Sequence, residues 1–197
     1  MANTQAQFGF QHFGYLPGGA PDYQLSKYAI QSSYATRIYF GDPVIKSALS
    51  PYIRPATAST GGTAIAGIFQ GCTYVPSGGG APVWSPWWPA SQGGDATAYV
   101  IDAPNALFKV AALLTAVQAT AMGSNIGFST GAGGTTVGGG FSTYTVDQAA
   151  ILSTAIAQFR LVSFYPGIGN GSDTTTSYNW VIVAFNQQAY QVGTGVA

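Results

Sequence analysis

Trp180-Val181-Ile182-Val183-Ala184-Phe185 is the stretch whose reading decides the fold. All but Ala184 are β-branched or aromatic, the types that suit a pleated strand. Apolar residues run on without alternation, which predicts a strand covered on both faces. Upstream, Gln158 to Tyr165 reads as another strand, stopped by Pro166-Gly167, and residues 169–177 form a polar loop. Gly67-Ile68-Phe69-Gln70-Gly71-Cys72-Thr73-Tyr74-Val75 is a strand whose glycines signal bulges or close backbone approach. Tyr99-Val100-Ile101 is a strand stopped at Asp102-Ala103-Pro104. Residues 26–46 are extended through Tyr28, Ile30, Tyr34, Ile38 and Phe40, then turn at Gly41-Asp42-Pro43 and resume at Val44-Ile45.

Other segments read less singly. Residues 54–62 are a loop. Trp84-Ser85-Pro86-Trp87-Trp88-Pro89 is an edge strand or a stiff aromatic loop, because its prolines forbid a central strand. Leu107 to Val117 suits strand or helix, with Phe108, Val110 and Leu114 favouring strand. Residues 123–143, rich in Gly, Ser and Thr, suggest hairpins with long tips. Asp147 to Ala157 reads as opening on a short helix, with Thr145 or Asp147 as its N-cap. Roughly eight or more short strands with turn signals between them predict an all-β chain. The expected architecture is a single β-barrel or sandwich-like domain over residues 26–197, with long Gly/Pro-rich loops. An extended aromatic N-terminal arm over residues 1–25 precedes it.

Composition narrows the function. Only 12 of 197 residues are charged, six Lys or Arg and six Asp, and the formal net charge is zero. Ordinary soluble domains carry roughly 25% charged residues. The six cations (Lys27, Lys46, Lys109, Arg37, Arg54, Arg160) are scattered singly, which argues against nucleic acid or a membrane surface as partner. No apolar stretch approaches the roughly 18 residues of a transmembrane helix. The opening residues lack the basic and apolar regions of a signal peptide, so folding in the cytoplasm is expected. A surface this poor in charge is easily desolvated and suits a protein that stays assembled.

Catalytic patterns are missing. His12 is the single histidine and stands in an aromatic stretch; it reads as a packing residue with one hydrogen bond rather than a triad base. The six Asp are dispersed, and Asp22, Asp42 and Asp102 lie near prolines, where Asx-turns are expected. No acidic run suits calcium and no Gly-Lys-Ser/Thr follows a glycine run. Cys72 is alone and reads as a small buried hydrophobe. No cofactor, no metal and no enzymatic activity are expected. Two aromatic groups remain as candidate binding residues. Phe8, Phe10, His12, Phe13 and Tyr15 form the arm, which packs on its own domain or on a neighbouring subunit, with the neighbour favoured. Trp84, Trp87 and Trp88 serve as core filling, as a subunit contact or as a carbohydrate platform.

Phe8-Gly9-Phe10-Gln11-His12-Phe13-Gly14-Tyr15, Gly41-Asp42-Pro43-Val44, Gly67-Ile68-Phe69-Gln70-Gly71, the Trp-Pro segment, Tyr99-Val100-Ile101-Asp102-Ala103-Pro104 and Phe108-Lys109-Val110 together resemble small virion proteins of tailed bacteriophages. The resembled proteins are capsid decoration, or cement, proteins, and the likeness runs over most of the chain. It implies a β-barrel, commonly a homotrimer, made in the host cytoplasm and bound to the outer surface of the virion capsid. Its implied partner is the major capsid protein, whose neighbouring subunits it bridges. The alternative expectation is a tail- or fibre-associated carbohydrate-binding module built on the Trp cluster.

Overall fold

A computed structural model describes residues 2–22, 24–48, 50–57, 64–113, 115–129, 140–152 and 157–189. Among these, twelve strands form: β1 Gln11–Tyr15, β2 Ser26–Ile30, β3 Pro43–Lys46, β4 Ile53–Pro55, β5 Gly67–Tyr74 and β6 Val83–Ser85 come first. Then follow β7 Ala96–Ile101, β8 Ala106–Ala111, β9 Asn125–Ser129, β10 Thr145–Leu152, β11 Phe159–Phe164 and β12 Trp180–Phe185. They make two antiparallel sheets. The first has the order β1-β8-β12-β11-β9-β10. The second runs β2-β7-β5-β3-β4, and β6 pairs with the far half of β5. The chain is thus an all-β sandwich. A single bridge from Ala112 to Val146 bends β10 back toward the end of β8, but the sheets do not close into a barrel.

The decisive strand β12 sits inside the first sheet, between β8 and β11. Both its faces are covered, as its unbroken apolar run predicts. Val181, Val183 and Phe185 enter the core between the sheets, with Phe108, Phe159, Ile68 and Ile101. Ile182 and Ala184 point the other way and pack with Leu107 and Tyr165. The second sheet is also covered behind. Ile38 and Trp88, from irregular segments, lie over Val44, Phe69, Cys72, Ala98 and Val100. One chain therefore buries apolar side chains in three layers, which accounts for its large hydrophobic fraction.

Three expectations change in the structure. Residues 145–152 are strand, not helix: Thr145, Val146 and Ile151 pair with Ser129, Phe128 and Ile126 of β9. Cross-strand pairing outweighs the weak helical preference of the intervening alanines, and a bulge after Val146 absorbs the extra residues. Strand β8 ends at Ala111, short of Val117, because buried Asn179 redirects the chain. Its carboxamide accepts from the Val117 N–H and donates to the Val117 carbonyl, both at 3.0 Å. The N-terminal arm is not separate from the domain: Gln11–Tyr15 is the edge strand of the first sheet, paired with β8. The glycine-rich tip at 130–139 lies outside the described residues, as do most of the loop at 58–63 and the end of the segment expected to be helical, 153–156.

Candidate functional site

The five aromatic residues expected on the arm have different fates. Phe10 is fully buried and stacks on Phe159 with centroids 4.5 Å apart. Gly9 makes this possible: its φ is +69°, and a Cβ there would lie 2.3 Å from the Ser142 Cβ. His12 is half-buried. Its Nε2 donates to the Gly14 carbonyl at 3.2 Å, and its ring meets Tyr15 edge-on. Burial holds its pKa below the usual imidazole value, so it packs as a neutral aromatic. Tyr15 donates to the Asp22 carboxylate; burial, then that bond, push its phenol up to about 12. Phe8 and Phe13 lie over the outer side of the first sheet, against Trp180 and Tyr165. Phe10 is thus closed to any partner, while Phe13 stays open.

Asn3 ties the segment before Phe8 to the chain's own 170–176 loop. Its side-chain oxygen accepts from the Gly171 N–H at 2.9 Å and the Asp173 N–H at 3.3 Å. Its Nδ2 donates to the Asp173 carbonyl at 2.7 Å. Lys109 closes the arrangement: its ammonium sits 5.0 Å from the Phe8 ring, 5.2 Å from Tyr165 and 4.8 Å from Trp180. Three ring faces stabilise the cation by their quadrupoles. Burial pulls its pKa below the ordinary lysine value. Beside this segment, a groove of about 680 Å³ runs between Gln5, Gln7, Phe8 and Gln11 on one side and Phe141 on the other.

The tryptophans also separate. Trp88 is fully buried and donates its indole N–H to the Tyr34 carbonyl at 3.0 Å. Trp87 is half-buried, its ring laid against Gly140. Trp84 is 62% exposed on β6. The expected platform is thus one ring, not three. Its neighbours Thr73, Thr97 and Tyr99, brought beside it by strand register, were not singled out by sequence reasoning. A signal for two of them exists: in Ala-Thr-Ala-Tyr-Val over 96–100, hydroxyl-bearing and small apolar residues alternate.

The aspartates divide as well. Asp22 makes the expected turn, accepting from the Gln24 N–H, and Asp173, for which no turn was expected, accepts likewise from the Thr175 N–H. Asp102 does not: it crosses strands to accept from the Ser26 and Tyr28 hydroxyls at 2.7 and 2.8 Å. Asp42 is buried and reaches back to accept from the Tyr39 N–H at 2.8 Å. Its Oδ1 has no partner among the described residues, and burial raises its pKa to about 7. It lines a cavity of about 450 Å³ with Arg37, Tyr39 and Tyr144. Cys72 is buried, and desolvation pushes its thiol up to about 12.

Among the described residues, no three His, Cys, Asp or Glu are placed to hold a metal ion, and no helix is long and apolar enough to cross a membrane. No family model, curated protein or solved structure matches the chain.

Proposed function

We infer that this chain is a non-enzymatic structural protein of a tailed-phage virion, seated on the outer capsid surface. It stabilises the capsid by bridging neighbouring subunits of the major capsid protein, and it acts as a homotrimer. The resemblance of its landmarks to decoration proteins motivates the reading. The observation that carries it is the exposure of large apolar side chains on and just after β1 and in the loop that follows β11. Phe13 on β1 and Leu16 just beyond it are 37% and 44% exposed. Phe13 touches Tyr165, and the loop that follows carries Ile168, which is fully exposed. Large apolar side chains on a charge-poor surface are inexpensive to desolvate, which supports a contact with another protein. Many identical weak contacts over a lattice then sum to firm attachment.

The test is reconstitution. Heads assembled without the protein are mixed with the purified full chain, and occupancy is read by sedimentation and gel densitometry. Saturation at a fixed ratio to the major capsid protein is the expected result. Heads that take up none of it overturn the reading, as does its absence from purified virions by mass spectrometry.

A further inference from the structure

Side chains alternate along β7, so Thr97, Tyr99 and Ile101 share one face of the second sheet. Ile101 is fully buried in the core between the sheets, but Thr97 and Tyr99 are only partly buried. The second sheet therefore runs past its partner and bares this end. Register sets the neighbours. Thr97 stands beside Thr73 of β5, and Thr73 beside Trp84 of β6, while Tyr99 stands beside Gly71. On the other flank β2 adds Ala29 and Lys27.

Gly71 shapes this face. It follows a bulge and holds a φ of +139°. A Cβ on it would lie 3.0 Å from Trp84 Cζ2 and 3.3 Å from Cε2. The indole thus leans over bare backbone and leaves most of its surface to solvent. Next to it the Thr73 and Tyr99 hydroxyls are hydrogen-bonded at 3.3 Å. The result is an open aromatic ring with three hydroxyl groups on one shallow surface. Lys27, at its far side, is the only charge in these rows.

We propose that this face binds a neutral polysaccharide, with one pyranose ring stacked on Trp84 and its hydroxyls bonded to Thr73, Thr97 and Tyr99. A pyranose presents an apolar C–H face and a rim of hydroxyls, which matches an indole flanked by groups that both donate and accept. A single-stranded nucleic acid would also stack, but its phosphates need a cationic track that one lysine does not supply. The site lies on the second sheet, whereas Phe13, Leu16 and Ile168 lie on strands or loops of the first, so it does not rest on the capsid reading.

The full chain is titrated with cellohexaose, maltoheptaose and chitohexaose, each in turn. Binding is followed by tryptophan fluorescence and by the NMR shift of the Trp84 indole N–H. At least one sugar is expected to give a saturable shift. Trp84→Ala should weaken that binding at least about tenfold, equivalent to about 1.4 kcal/mol, while its unfolding midpoint stays near that of the parent. Thr73→Val should weaken it roughly threefold to tenfold. No saturable response to any of the three sugars overturns the proposal. So does full binding by the Trp84→Ala protein, or an equal response to oligothymidylate.

Discussion

Phe10 illustrates how one residue joins the two ends of the chain. It stacks on Phe159 of β11, and its N–H donates to the Gly41 carbonyl at 3.0 Å. Phe10→Ala leaves a cavity at the centre of the core and should cost about 3–5 kcal/mol, read from urea denaturation. Asp42, next to Gly41, has a pH signature. Its folded pKa of about 7 lies above the ordinary 3.8, so the folded state holds a proton that the unfolded chain releases first. Its contribution is fully present below the unfolded value and is lost as pH rises through about 7. Asp42→Asn should therefore flatten the fall in stability across this window. Denaturation midpoints between about pH 4 and pH 8 check it; an unchanged slope would remove Asp42 as its source.

At the scale of elements, the segment before β1 is held by polar contacts and the strand itself by apolar ones. Asn3→Ala removes the acceptor for the Gly171 and Asp173 N–H groups. Those two amides should lose hydrogen-exchange protection, whereas global stability should fall by only about 1 kcal/mol, because this region is partly solvated. Protection of the β8 amides and of Val181–Phe185 in β12 should not change, since their pairing lies within the sheet, whereas the Trp180 N–H donates to the Gly171 carbonyl and should lose protection with the loop. Strand β6 shows the opposite logic. It is three residues long, pairs only with β5, and is bounded by Pro82 and Pro86. Proline lacks the N–H that a further strand would need, so the edge is blunted against uncontrolled pairing.

At the scale of the whole molecule, charge poverty and exposed apolar groups act together. Leu16→Lys combined with Ile168→Lys places two cations on exposed positions. Folding stability should change by no more than about 0.5 kcal/mol. Uptake by heads should fall sharply if Leu16 and Ile168 touch the capsid, which the same sedimentation assay measures. The double variant should also be more soluble than the parent near neutral pH, because the parent carries no net charge to oppose association.

Strand-forming runs and their stops were legible from residue types alone: β5, β7, β11 and β12 follow from apolar runs between Gly and Pro signals. The burial of both faces of β12 followed from its lack of alternation, because a strand with one wet face must carry polar residues at every second position. Partners in space were not legible. Phe8, Phe10 and Phe13 look alike in sequence, yet one is core and another is surface: Gly9, at a φ of +69°, turns the chain between Phe8 and Phe10, and the odd spacing puts Phe13 on the face opposite Phe10. Trp84, Trp87 and Trp88 look equally alike, and only their distances from Gly71, Gly140 and the Tyr34 carbonyl separate them. The alanines of β10 favour helix locally, and pairing with β9 overrides them. Sequence by itself determined that the chain is all-β, since period and punctuation are local properties. Tertiary structure decided between sandwich and barrel and chose which aromatic rings meet solvent, since both depend on register and on contacts between residues far apart in the chain.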